Sequence, residues 1–173
     1  MLERFSEIWK ADFEFNGAGG DNPRPVCMVA QEHKTGKIIT LWKDELQNLS
    51  EPPFGIGKNT LFVAYYASAE LGCFKALGWK FPKNIVDLYA EFRCLTNGTE
   101  LPAGKGLLGA LVYFGIRGIE EVEKEEMRNL VLRGEPWTDK EKADILKYCA
   151  SDVYALGYLI DKMRDEQSKT CNR

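Results

Sequence analysis

Hydrophobic and polar residues alternate along Trp9-Lys10-Ala11-Asp12-Phe13-Glu14-Phe15-Asn16, the pattern of a buried first strand. Successive side chains of a strand face opposite ways, so Asp12 and Glu14 share one side while Phe13 and Phe15 share the apolar other. Gly17 to Pro25 is a loop by composition. Val26 to Glu32 is β-rich, and His33-Lys34-Thr35-Gly36-Lys37 predicts a hairpin turn into a strand over Ile38 to Trp42. The chain therefore opens as a three-strand antiparallel meander. Lys43 to Leu49 is a short helical or irregular link, and Glu51 to Gly57 a second loop.

Thr60 to Tyr66 forms a fourth strand whose unbroken apolar run suits a central position, parallel to its neighbour. Ser68 is the expected N-cap of a helix over Ala69 to Leu77, stopped by Gly78. Asn84 to Asp87 is a short fifth strand, Leu88 to Leu95 a helix, and Gly106 to Phe114 an apolar helix closed by Gly115. Glu120 to Arg133 is a charged amphipathic helix. Thr138, with Glu141 three positions later, is a capping box opening a last helix expected to run to about Gln167. The sum is one α/β domain over residues 1–167, a mixed five-stranded sheet flanked by helices, with a C-terminal tail at 168–173.

Composition narrows what such a domain does. A chain of 173 residues buries a proper core, and 45% hydrophobic with 28% charged residues is ordinary for a globular protein. A net charge of −3 argues against wrapping long stretches of nucleic acid by phosphate neutralisation, but not against gripping one chain end with a bound cation. Five scattered cysteines without a CxxC pair, and the single His33, offer no zinc cluster; they read as reduced, mostly buried thiols. With neither a signal-peptide pattern nor an apolar run near 20 residues, the expectation is a soluble cytoplasmic protein without membrane contact.

Two carboxylates on one face of a hydrophobic strand are costly unless neutralised, and oxygen-only ligands suit magnesium or manganese. A solvent-facing strand end is the plainer alternative. In sheets of this kind, sites gather near strand ends at crossover points, here the ends of strands one and four. Glu70, in the first turn after strand four, falls there, although an acidic residue also suits a helix N-terminus by itself. Tyr148 and Asp152 form an i, i+4 pair on a helical face shared with Ile145, Ala155 and Leu156. A buried Asp152 needs a partner, and no basic residue lies one turn away on that face.

A DxE strand, an acidic residue just after a central strand and YxxxD on the last helix, in that order, resemble the DEDD superfamily of 3′–5′ exonucleases, in its tyrosine-bearing subgroup. The resemblance rests on Asp12-Phe13-Glu14, on Glu70 where the family usually has aspartate, and on Tyr148-Cys149-Ala150-Ser151-Asp152. It extends through Ile85-Val86-Asp87-Leu88, Gly106 to Leu111 and Glu135-Pro136-Trp137. Glutamate at position 70 is similar to the proofreading exonuclease domains of some phage and plasmid family A DNA polymerases. The resemblance implies a ribonuclease H-like (DnaQ-like exonuclease) fold and a two-metal hydrolysis using Mg²⁺ or Mn²⁺. It would make Asp12 the bridge between both ions, with Glu14 and Asp152 completing one site and Glu70 holding the second ion. Tyr148 would orient the attacking water, its ordinary pKa near 10 making it a poor base.

The expected substrate is the 3′ end of single-stranded DNA, released as nucleoside 5′-monophosphates, with a separately encoded polymerase as a candidate partner. The rivals are RNA trimming, and a catalytically weakened module that binds nucleic acid or a polymerase. Phe15, Tyr65 and Tyr66 are candidates to stack on terminal bases, the alternative for each being core packing. Lys105, before a helix N-terminus, is a candidate phosphate contact, its alternative an exposed loop lysine. Asp87 is a reserve site residue or a structural turn. His33 is expected in solvent, Cys149 lacks a histidine to make it a nucleophile, and Gly55 to Asn59 fails the spacing of a phosphate loop.

Overall fold

A computed structural model describes residues 2–17, 23–116 and 121–171. A short 3-10 turn at Leu2–Arg4 leads into β1 (Glu7–Asn16), followed by β2 (Arg24–Glu32), β3 (Ile38–Trp42), α1 (Lys43–Gln47), β4 (Thr60–Ala64) and α2 (Ala67–Ala76). Then come β5 (Ile85–Asp87), α3 (Leu88–Leu95), α4 (Leu107–Tyr113), α5 (Glu121–Arg133) and α6 (Asp139–Cys171). The centre of the loop expected at Gly17 to Pro25 lies outside the described residues, as do residue 120 of the charged helix and the last two residues of the tail. The last helix continues past Gln167 to Cys171.

The strands form one sheet in the order β3-β2-β1-β4-β5. β1–β2 and β2–β3 pair antiparallel, the expected meander; β4 lies parallel to both β1 and β5. Each of its five residues is buried, as a central strand requires.

Alternation along β1 and β4 divides the interior. Trp9, Ala11, Phe13, Phe62 and Ala64 join Phe74 of α2 and Trp79 on one face of the sheet. Ile8, Leu61 and Val63 meet Leu156, Leu159 and Ile160 of α6, with Phe92 and Leu111, on the other. On that second face the earlier part of α6, through Ile145, Cys149 and Val153, packs with Val131 and Trp137 over Cys27 and Val29 of β2. Alternation puts Lys10, Asp12 and Glu14 on the α6 face, where apolar surface alone would pack best.

Local chemistry explains most boundaries. Thr138 and Glu141 exchange the expected capping bonds, Thr138 N–H donating to Glu141 Oε2 (2.7 Å) and Glu141 N–H to Thr138 Oγ1 (3.2 Å). Gly78 and Gly115 adopt positive φ where α2 and α4 end. Ser68, by contrast, does not cap α2. The helix starts one residue before it, and its N-cap is Tyr66, in the left-handed region at φ 71° and ψ 57°. Asp87 imposes this: its Oδ1 accepts from the N–H groups of Tyr66 (3.0 Å) and Tyr89 (2.9 Å), tying the turn after β4 to the start of α3. Asp87 is thus a structural cap. His33 is also more enclosed than a solvent-facing turn residue, with Nε2 3.5 Å from Asp161 and Nδ1 buried.

Candidate active site

β1 outlasts its parallel neighbour. The β1–β4 register closes at Lys10 opposite Val63, after which β4 turns away at Tyr65 and β1 continues to Asn16 beside β2. The space left beyond the carboxyl end of β4 is where a crossover sheet holds its ligands. Asp12 and Glu14 point into it from β1. The register shifts between Glu14 and Phe15, a bulge that bends the strand just past the second carboxylate.

Three other elements close the space. The first turn of α2 brings Glu70, 3% exposed, against β1, beside the backbone of Phe13. α6 brings Tyr148 and Asp152, one turn apart on the same face. It also brings Cys149, whose Sγ donates to the Asp12 carbonyl oxygen at 3.2 Å. Ligand atoms of Asp12, Glu14 and Cys149 lie within 4.8 Å of one another. The structure therefore brings together all five residues that the sequence singles out, Asp12, Glu14, Glu70, Tyr148 and Asp152.

The electrostatics are those of a site short of positive charge. Burial, then the neighbouring Asp152, raises the Asp12 carboxyl to about 8. Burial and the Asp12 charge hold Glu14 and Glu70 well above the usual carboxylate range. Burial lifts Asp152 as well, against the pull of Lys124 and Tyr148. The same desolvation pushes the Tyr148 hydroxyl up, so it stays neutral, and keeps the Cys149 thiol protonated and inert. Two carboxylate oxygens, Asp12 Oδ2 and Glu70 Oε2, are buried with no hydrogen-bond partner. Orphaned acceptors of this kind cost free energy unless something binds them. An all-oxygen donor set with two open acceptors fits hard divalent cations such as Mg²⁺ or Mn²⁺.

One site residue escapes the sequence patterns. Asp152 does have a basic partner, from another helix: Lys124 of α5 places Nζ 2.7 Å from Asp152 Oδ1, with side chains only 17% and 13% exposed. The same ammonium stands 5.6 Å from the centre of the Tyr148 ring. Lys124 sits in a helix crowded with charged residues, where spacing does not distinguish an inward lysine from a solvated one.

The candidate substrate contacts divide. Phe15 is half-buried and packs against the core on the α2 face. Tyr65 is also packed, its hydroxyl donating to the Lys105 carbonyl oxygen. Tyr66 is exposed, its ring edge-on to Tyr89 at 5.2 Å. The Lys105 side chain is exposed on the loop before α4.

No known family profile matches the chain, and no curated protein matches its sequence. Solved structures do match. A nuclease in its apo form superposes with a TM-score of 0.65 at 15% identity, over 98% of this chain and 77% of that one. The catalytic core of RRP6 from Trypanosoma brucei gives 0.65 at 14% identity, over 99% of this chain and 43% of the other. RNase D of Escherichia coli, an exoribonuclease involved in structured RNA processing, gives 0.59 at 14% identity over 97% and 41%. The chain thus spans under half of the RNase D and RRP6 chains. At these identities the likeness is one of fold. The mixed five-stranded sheet with its flanking helices is the ribonuclease H-like α/β fold of these nuclease structures.

Proposed function

We propose that this protein is a 3′–5′ exonuclease that removes nucleoside 5′-monophosphates from single-stranded DNA ends. The observation carrying the proposal is the pair of buried, unpartnered carboxylate oxygens of Asp12 and Glu70, set beside Glu14 and Asp152 at the carboxyl edge of the sheet. Two divalent cations held by Asp12, Glu14, Glu70 and Asp152 would supply Lewis-acid stabilisation to the attacking and leaving oxygens of a phosphodiester. Tyr148, neutral and one turn from Asp152, orients the nucleophilic water without taking its proton. Glu70 reaches the site with one methylene more than aspartate would have. Tyr66 offers an exposed ring to a terminal base and Lys105 an ammonium to the backbone, while Phe15 supports the strand from its half-buried side.

The proofreading resemblance at Glu70 favours work beside a separately encoded polymerase, and the free thiols of Cys27, Cys73, Cys94 and Cys149 suit a reducing compartment such as the cytoplasm. No described helix is long and apolar enough to cross a membrane. RNA is the second reading, favoured by the likeness to RNase D. The deciding experiment incubates 5′-labelled single-stranded DNA and RNA with the protein and Mg²⁺, Mn²⁺ or EDTA, beside Asp12→Ala. A metal-dependent ladder shortening from the 3′ end, absent in D12A, is expected, faster on DNA. A faster RNA ladder transfers the proposal to RNA; cleavage of neither by a folded, Mn²⁺-binding protein refutes the enzyme.

A further inference from the structure

Lys124 stands out in a site otherwise built from acids. Among the described residues it is the one cation whose charge acts on Asp12, Glu14 and Asp152 together. It comes from α5, which contributes none of the carboxylates. Its contact with Asp152 is short and largely removed from solvent. A buried ion pair of this kind contributes little net stability, because desolvating both ions offsets their attraction. It does keep Asp152 from being a buried charge with no partner, which would cost several kcal/mol.

A divalent cation that takes Asp152 makes this contact redundant, and places two like charges side by side. The ammonium then needs a new anion. A lysine is suited to such a transfer: a compact point charge on a flexible four-carbon stem, with no fixed fork geometry to lose. The face of the Tyr148 ring, 5.6 Å away, offers it a second favourable place beside Asp152. Tyr148 is also the residue that would position the attacking water, so an ammonium over that ring stands near the phosphate under attack. Lysine binds phosphate as a point charge and needs no particular approach angle.

Resting on the exonuclease reading of this site, we propose that Lys124 is a displaceable counter-ion. It holds Asp152 in the metal-free protein, gives that carboxylate up to a divalent cation, and turns to a phosphate oxygen of the substrate.

The proposal predicts two affinities moving in opposite directions. The full chain and its Lys124→Met and Lys124→Arg variants are titrated with Mn²⁺, read as loss of the free-ion electron paramagnetic resonance signal. The same proteins then bind a fluorescent single-stranded oligonucleotide in Ca²⁺, read by anisotropy, and thermal unfolding in EDTA checks that each is folded. K124M is expected to bind Mn²⁺ about tenfold tighter, because a competing positive charge is gone. It is expected to bind the oligonucleotide about tenfold more weakly, with K124R, which keeps the charge but not the compact ammonium, between K124M and wild type in both. A lysine that only pins α5 lowers the unfolding temperature without tightening Mn²⁺ binding, and that result overturns the proposal. Unchanged oligonucleotide affinity in K124M overturns the transfer to phosphate. Neither readout needs turnover, so failure of the protein to cleave DNA or RNA would remove the exonuclease reading and leave the counter-ion test intact.

Discussion

Replacing Asp12 with asparagine should make the metal-free protein more stable while destroying the proposed chemistry. Burial and Asp152 raise the Asp12 carboxyl to about 8, from an ordinary 3.8. An acid raised in the folded state stabilises the fold fully below its unfolded pKa, and that contribution is lost as pH climbs through the folded one. At pH 7 the loss corresponds to about 4 kcal/mol, from 1.36 kcal/mol per pH unit between the unfolded value and the working pH. Asparagine escapes it but leaves a buried amide short of partners, which costs about 1–3 kcal/mol. Asp12→Asn should therefore gain about 1–3 kcal/mol in EDTA at pH 7, an unfolding temperature higher by roughly 3–9 °C. At pH 4.5, close to the unfolded pKa, the loss shrinks to about 1 kcal/mol, the unpartnered amide offsets it, and the advantage disappears. In saturating Mn²⁺ the order reverses, because only wild type gains full binding energy. Cleavage by D12N should fall by about 10³-fold or more. Calorimetry at both pH values, with and without metal, tests the reasoning. A D12N protein less stable than wild type at pH 7 in EDTA, or equally favoured at both pH values, would refute it.

Two further substitutions probe the surroundings. Tyr148→Phe should lower kcat by about tenfold to a hundredfold with Mn²⁺ affinity unchanged, since in the proposed mechanism the phenol orients water and holds no metal; a loss of Mn²⁺ binding in the same titration would contradict that role. Gly157→Ala would place a methyl 2.6 Å from the Lys10 ammonium, which is buried and bonded to Gln31 Oε1 at 2.7 Å. A net destabilisation of about 1–2 kcal/mol, after the helix-propensity gain of alanine, should appear in the urea midpoint.

The parts of the site legible in the sequence depend on short-range periodicity. Asp12 and Glu14 at i, i+2 and Tyr148 and Asp152 at i, i+4 declare shared faces whatever the tertiary structure. Glu70 is legible because β4 is so apolar that its end, and the site beyond it, are unambiguous. What escapes the sequence depends on distant partners. Ser68 is a reasonable cap by residue type, but Asp87 draws Tyr66 into the left-handed region and starts α2 earlier. Lys124 meets Asp152 across 28 residues and two helices, a separation that no local pattern encodes. His33 sits in the expected turn, yet Asp161 of α6 packs beside it.

The long closing helix α6 gives the protein a form of containment. Through Ile145, Cys149, Val153 and Leu156 it seals both cores on its side of the sheet, and along the same length it delivers Tyr148 and Asp152. Cys149 touches the strand that carries Asp12 across 137 residues of chain. During synthesis Asp12 and Glu14 are made long before α6 and wait, inert, until that helix has left the ribosome. In the mature protein any opening that peels α6 from the sheet dismantles the reactive centre together with the core. A nuclease of the proposed kind, assembled this way, fails silent: damaged or half-made copies lose activity before they can attack nucleic acid indiscriminately.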